Sequence, residues 1–407
     1  MRRSHLSLSA AIVLAMALGL VVGPLLGADA APLGELGKLV IQLIKAVATP
    51  LIYFVIVHAV LTTEIGGLGA RRLVGFAMAN ATFALAIGLL LSNLIHPGGH
   101  LAAAVAVKPE DLAAYAGKKV ELMKTLASYV PTSWVGPFAD NLVISIVGMA
   151  LLTGFGLRRV RADQIAAGHQ GYRVIEEGIA TILGTLEVVL HWVVMAVPLA
   201  VFGVVAKTVG ETGFRPLIGL GWYVGVGLLG LLLHVVVTYQ VWLVLWVRMP
   251  LARFWAAARE PVIYALGANS SLATLPVTLK ALDKLGISRA SSTLGACVGT
   301  NLNNDGILLY EGMAVLFVAQ ANGIVLTLPQ QLSAAASCMV AAAGVAGVPE
   351  AGFISLALVL NTVGLPIELL PLLLTVDWVI ARGRSAVNVL SDMMLSILIE
   401  GRAPGTA

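Results

Sequence analysis

The chain has 407 residues, of which 59% are hydrophobic and 11% charged, and it carries a net charge of +4. Its mean hydropathy of +0.94 excludes a soluble globular protein, and so small a charge excess gives no reason to expect a nucleic-acid partner. The two cysteines, Cys297 and Cys338, lie in apolar surroundings and have neither metal-ligand spacing nor the look of a disulfide framework.

Apolar stretches long enough to cross a bilayer recur at 6–26, 39–61, 74–95, 142–157, 188–205, 218–247 and 354–376. They are long and rich in Ala, Gly, Val and Leu, which argues for helices; barrel strands would be short and alternating. The N-terminal stretch MRRSHLSLSAAIVLAMALGLVVG resembles a signal peptide, but its apolar part is too long and no soluble domain follows. It reads as the first spanning helix. Arg2 and Arg3 precede that helix. Arg71 and Arg72 follow the second, Arg158, Arg159 and Arg161 the fourth, and Arg248, Arg253 and Arg259 the sixth. This bias predicts an even-numbered bundle in the inner membrane with both termini cytoplasmic. Trp242 and Trp246 suit an interfacial belt. His58, His96, His100, His169, His191 and His234 show no ligand spacing and read as loop or interface residues.

After a longer polar connection at 96–131, the second half breaks the pattern of simple spans. Between 250 and 287, EPVIYALGANSSLATLPVTLKAL is apolar at both ends and holds Asn269, Ser270, Ser271 and Pro276 at its centre. Later, SCMVAAAGVAGVPEAGFISLALVLNTVGLP centres on Gly344, Gly347, Pro349, Glu350 and Gly352. Each is either a pair of helices with an interfacial loop or a re-entrant hairpin, and a matched pair of interruptions favours hairpins around a transporter site. Between them, TNLNNDG reads as the unwound middle of a helix, with Gly299 and Gly306 letting the backbone leave the helix. Its freed carbonyls and the side chains of Asn301, Asn303 and Asp305 could replace a cation's hydration shell.

In the last helix Asp377, Arg384, Asn388 and Asp392 are spaced seven, four and four apart and share one face. Ser385 lies beside them, and Arg382 points nearly the opposite way. Asp377 and Arg384 could simply neutralise each other, but that leaves Asn388 and Asp392 without a role. Intramembrane charges are costly enough to suggest a site. Arg384 is expected to grip a substrate carboxylate through its planar fork, with Asn388 and Asp392 facing the TNLNNDG break.

These motifs resemble the dicarboxylate/amino acid:cation symporter family, which includes the glutamate and C4-dicarboxylate transporters. SSLATLPVT is similar to its first hairpin, NLNNDG to the break in its seventh helix, GVPEAG to its second hairpin tip, and VDWVIARGRSAVNVLSD to its last helix. LVIQLIKAVATPLIYFVIV and VPTSWVGPFADNLVISIVGMALLTG resemble its second and fourth helices. The resemblance implies an all-α polytopic membrane protein with eight transmembrane helices, two re-entrant helical hairpins and an elevator motion, assembled as a homotrimer. The whole chain is then one transporter unit. Its scaffold is approximately 1–70 and 131–250, and its transport part approximately 71–96 and 216–401. By resemblance, Asn269, Ser270, Ser271, Val348, Gly352, Asp377, Ala381, Arg384, Ser385 and Asn388 contact substrate or shape its pocket. Gly299, Asn303, Asn388 and Asp392 build one sodium site, and Asn303 and Asp305 contribute to another.

Several positions depart from the family pattern. Amino-acid carriers place an Asp three residues before the carboxylate-binding Arg; here that residue is Ala381, and an unpaired ammonium would be costly. An anionic C4-dicarboxylate such as succinate, malate or fumarate is therefore expected, with an acidic or neutral amino acid as the rival. The third-helix cation ligands fall on Ala77, Asn80 and Ala81, which calls a third sodium site into question. Arg382 takes the place of a second Arg of animal members. Glu311 matches their proton carrier or is simply a buried Glu paired with Arg382 or a hydroxyl, so protons stand beside sodium as candidate co-substrates. Glu350 sits at the gate in solvent or tunes gating. An intramembrane serine enzyme lacks a base near Ser270 or Ser271, and a passive anion channel is the remaining alternative.

Overall fold

A computed structural model describes residues 8–62, 67–102, 130–131, 133–140, 142–301, 303–343 and 351–401. Every regular element among them is helical. Helices α1 (Leu8–Leu26) and α2 (Gly34–Thr62) are joined by a 3-10 segment. They are followed by α3 (Gly67–Ile95), α4 (Val143–Ala166), α5 (Gly171–Val194), α6 (Val197–Thr212) and α7, which begins at Arg215–Leu233. Helix α7 continues through two π turns, His234–Tyr239 and Trp242–Val247, and stops at Arg248, whose φ is 58°, two residues before Pro250. Then come α8 (Leu251–Ala268), α9 (Ser271–Leu285), α10 (Arg289–Ser292, prolonged by a π turn to Val298), α11 (Asp305–Ala321), α12 (Leu328–Ala343), α13 (Ala351–Val363) and α14 (Leu370–Glu400).

Among the described residues, four helical stretches are long and apolar enough to cross a membrane: Ala10–His58, Arg71–Ile95, Gly171–Thr212 and Pro216–Val247. The first contains both α1 and α2, and the third is bent where Pro198 opens α6. Two expectations need correcting. The apolar run 354–376 is not one span: it breaks after α13, where Gly364 takes a φ of 73° and Pro366 bars continuation. Arg158, Arg159 and Arg161 do not follow the fourth helix but lie within α4, where Arg161 pairs with Glu176 of α5 at 3.0 Å. The Trp242 indole N–H donates to Asn80 Oδ1 at 2.8 Å.

Helices α8, α9, α12 and α13 hold 18, 15, 16 and 13 residues. At 1.5 Å per residue these are about 27, 22, 24 and 20 Å long, each short of the ~30 Å hydrocarbon thickness. Helices α8 and α9 pack side by side, as do α12 and α13. The first pair lies against α14 and the second against α11 and α14, two central helices that are buried along most of their length. Helix α3 runs alongside α11: a Cβ on Gly88 would meet Leu309 O at 2.6 Å, and one on Gly98, just past the end of α3, would run into Phe317 O. Such close backbone approach is the packing mode of small residues where the hydrophobic effect cannot drive helix association. Helices α1, α2, α4, α5 and α6 pack mainly on one another, with α6 also touching α14.

Candidate functional site

The polar stripe of α14 is buried as its spacing predicts. Asp377, Arg384, Asn388 and Asp392 are 1%, 4%, 6% and 2% exposed. Arg384 spends its fork on Asp377: Nη1 donates to Oδ1 at 2.7 Å and Nη2 to Oδ2 at 2.9 Å. The guanidinium carbon lies 4.1 Å from the ring centroid of Tyr310 on α11, a cation–π contact in a desolvated setting. Gly352, at the start of α13, also abuts the guanidinium, and a Cβ there would come within 2.9 Å of Cζ. Residue 352 can be only glycine while that group stays put.

Both paired-helix units reach this point. Helix α8 ends at Asn269, in the left-handed region with φ 51°, where Asn is tolerated among non-glycine residues. Ser270 caps α9, its hydroxyl accepting from Ala273 N–H at 3.2 Å, and Ser271 is the first helical residue. Ser385 Oγ donates to Asn269 Oδ1 at 3.0 Å. Arg382 also reaches this unit: Nη1 donates to the carbonyls of Leu266 at 2.6 Å and Gly267 at 3.3 Å, a cation placed on a helix C-terminus. Asn304 Nδ2 donates to Ala342 O at 3.1 Å near the end of α12.

The break in the TNLNNDG stretch falls between the 3-10 turn Gly299–Asn301 and α11. Asn388 Oδ1 accepts from Gly306 N–H at 2.8 Å, satisfying a donor in the first turn of α11. Gly306 serves close packing rather than backbone freedom: a Cβ would meet Arg384 O at 2.6 Å. Gly299 is likewise in ordinary helical geometry, with φ −60° and ψ −35°. Asp305 is fully buried, and its Oδ2 accepts from Tyr239 Oη at 2.8 Å and lies 3.2 Å from His234 Nε2. Ser391 Oγ donates to the same oxygen, and Asn303 Nδ2 donates to Ser391 Oγ. A carboxylate only accepts, so His234 Nε2 carries the proton, and Nδ1 faces the Thr238 hydroxyl at 3.2 Å.

Three side-chain acceptors about the break, Asn303 Oδ1, Asp305 Oδ1 and Asp392 Oδ1, are buried without a hydrogen-bond partner. Unmet acceptors of this kind suit a hard, oxygen-seeking cation. Among the described residues no group of three or more His, Cys, Asp and Glu could hold a metal ion, so a cation here would rely on Asn and backbone oxygens as well. Glu311 is fully buried, with neither carboxylate oxygen hydrogen-bonded, so neither arm of its expected alternative, Arg382 or a hydroxyl, bonds it.

The sodium:dicarboxylate symporter family, as a family-wide pattern, matches residues 8–401. The chain belongs to the sodium:dicarboxylate symporter family. It is 30% identical to a C4-dicarboxylate transport protein of Burkholderia thailandensis over 95% of this chain and 90% of that protein. Against proteins of the same name it is 30% identical in Caulobacter vibrioides, over 95% and 93% of the two chains. In Deinococcus radiodurans it is 29% identical, over 97% and 88%. Membership of a symporter family makes the chain a membrane-embedded transporter and not an enzyme.

Within this symporter, Asp377 and Gly352 touch the Arg384 guanidinium, Ser385 bonds Asn269 at the end of α8, Asn388 bonds the first turn of α11, and Asn303 and Asp305 are linked through Ser391 at the break. Ala381 is buried one turn from Arg384. Val348 and Glu350 lie outside the described residues, as does the side chain of Asn301. Sequence reasoning missed Tyr310, Ser391, Tyr239 and His234. The last is a correction, because it is neither loop nor interface but a fully buried partner of Asp305. The signal was hidden by helix geometry. Residues five apart point about 140° apart on an α-helix, whereas the π turn at His234–Tyr239 closes i to i+5 and brings both side chains to one face.

Proposed function

We propose that this transporter is a secondary active symporter that imports a C4-dicarboxylate-like anion, driven by co-transported Na+ and/or H+. The observation that carries the reading is the chemistry around Arg384. Its guanidinium is buried and desolvated, Asp377 has both carboxylate oxygens committed to it, and the position one turn before it is Ala381. A substrate carboxylate finds a fixed cation there, while a substrate ammonium finds no acidic group on that turn of α14. Ser385, Asn388, Asn269, Ser270, Ser271 and the second-hairpin residues Val348 and Gly352 complete the pocket.

Na+ is held by Asp392, Asn303, Asn388 and the carbonyl of Gly299, which places the co-transported charge close to the substrate anion. Glu311 is the candidate proton carrier, being a fully buried carboxyl in the middle of α11. Binding of cation and anion together favours closure of the second hairpin, because each ligand is bound better by the closed state. The scaffold then comprises approximately 1–70 and 131–250, and the moving part approximately 71–96 and 216–401, in an eight-span elevator fold. The tight mutual packing of α1, α2, α4, α5 and α6 is consistent with this division. The assembly is a homotrimer in the inner membrane with cytoplasmic termini.

Uptake of labelled succinate and labelled aspartate into proteoliposomes, with and without a Na+ gradient, tests the reading. Succinate accumulation that collapses without the gradient is expected. Preferential aspartate uptake would transfer the assignment to an amino-acid carrier, and gradient-independent flux would transfer it to a channel.

A further inference from the structure

To hold a cation, Asn303 must show it an oxygen, yet an amide side chain is as much a donor as an acceptor. Flipped end for end, the same side chain would present Nδ2 and repel the ion. The residue that decides between the two lies on another helix. Ser391 of α14 is fully buried. Asn388, Ser391 and Asp392 stand at i, i+3 and i+4, which puts them on one face of the helix, and that face meets the break.

The direction of each hydrogen bond follows from the chemistry of the partners. Asp305 Oδ2 belongs to a carboxylate and only accepts, so the single proton of Ser391 goes to it. Towards Asn303 the hydroxyl is then left with lone pairs alone. The amide can meet those only with Nδ2, which turns Oδ1 away from Ser391. That oxygen is buried without a hydrogen-bond partner, as are Asp305 Oδ1 and Asp392 Oδ1. The backbone beneath the amide is held too, because Asn303 N–H donates to Gly299 O at 2.8 Å.

We propose that Ser391 is a positioning residue for the co-transported cation: Asp305 fixes the direction of its proton, and its lone pairs hold Asn303 with the amide oxygen presented to Na+. This rests on the sodium-coupled reading above and adds to it a side chain that acts on the ion through Asn303. Partners that orient a ligand in this way are worth about tenfold to a hundredfold in metal affinity.

The test is equilibrium binding of radiolabelled Na+ to the purified full-length protein as wild type, Ser391→Ala, Asn303→Asp and the double variant. Ser391→Ala removes one oxygen and little volume. It is expected to raise the Na+ concentration for half-saturation about tenfold to a hundredfold, and to shrink the Na+-induced rise in the thermal midpoint. Asn303→Asp makes both ends of the side chain acceptors, so its orientation no longer matters. In that background the loss of Ser391 should change Na+ affinity by no more than about twofold. Should Asn303→Asp not fold, Asn303→Ser takes its place, since a hydroxyl can rotate its oxygen towards the ion, and the same small change is expected. A Ser391→Ala protein that binds Na+ like the wild type overturns the proposal. So does an equal loss in both backgrounds, which would make Ser391 a direct ligand or a packing residue. No Na+ bound by the wild type at all sinks the sodium-coupled reading itself, and this inference with it.

Discussion

Asp377→Asn removes the charge that compensates Arg384 while nearly keeping the side chain's shape. Both partners are buried, at 1% and 4% exposure, and share two hydrogen bonds of 2.7 and 2.9 Å. Taking away one member of such a pair strands the other in a low-dielectric site and costs about 3–5 kcal/mol. The substrate-free protein should therefore lose stability by that order, a factor of roughly one hundred to several thousand in its unfolding equilibrium at about 1.4 kcal/mol per tenfold. A dicarboxylate changes the balance, because in the variant it supplies the negative charge that Asp377 no longer does and feels no repulsion from it. Thermal unfolding of the detergent-purified protein, with and without succinate, separates the two effects. The midpoint of the variant should fall without ligand, and succinate should raise it by more than it raises the wild type. A variant that melts with the wild type, or whose succinate-induced shift is the smaller of the two, would refute the claim that Asp377 and substrate share one guanidinium.

Gly352→Ala should weaken dicarboxylate binding by about tenfold to a hundredfold, the equivalent of an overpacking cost of ~1–3 kcal/mol. The new Cβ would press on a guanidinium already fixed by Asp377 and Tyr310, and equilibrium binding of labelled succinate measures the loss. Ala381→Asp introduces an acidic group one turn before Arg384 and should shift the uptake ratio in proteoliposomes from succinate towards aspartate. At the end of α14, partial burial of Glu400 opposes its charge, but the Ser288 and Ser291 hydroxyls and the Ser288 N–H hold its carboxyl below its ordinary value of 4.5. A depressed carboxyl stabilises the fold above the unfolded value and loses that contribution as pH falls through the folded one. The stability gap between wild type and Glu400→Gln should thus be full above about pH 4.5 and close in more acidic buffer, as read from unfolding midpoints.

The features legible from the chain alone are those set by neighbours along it. Composition dictates helices in lipid, because only an internally hydrogen-bonded backbone survives there. The 3.6-residue period puts Asp377, Arg384, Asn388 and Asp392 on one stripe whatever packs against it. The interruption at Asn269 and Ser270 is local as well, since an Asn in the left-handed region followed by a Ser cap ends one helix and starts another within two residues. What packing decided is which stripe meets which. His234 and Asp305 lie 71 residues apart, Ser385 and Asn269 116 apart, and the register between those helices is written in no local period. That Tyr310 lies against Arg384, that Gly306 is needed for close approach rather than for backbone freedom, and that a π turn aims His234 and Tyr239 at one carboxylate all depend on that register. The physical reason is that buried polar groups must find partners wherever the helices happen to bring them, and a linear pattern records the need for a partner but not its address.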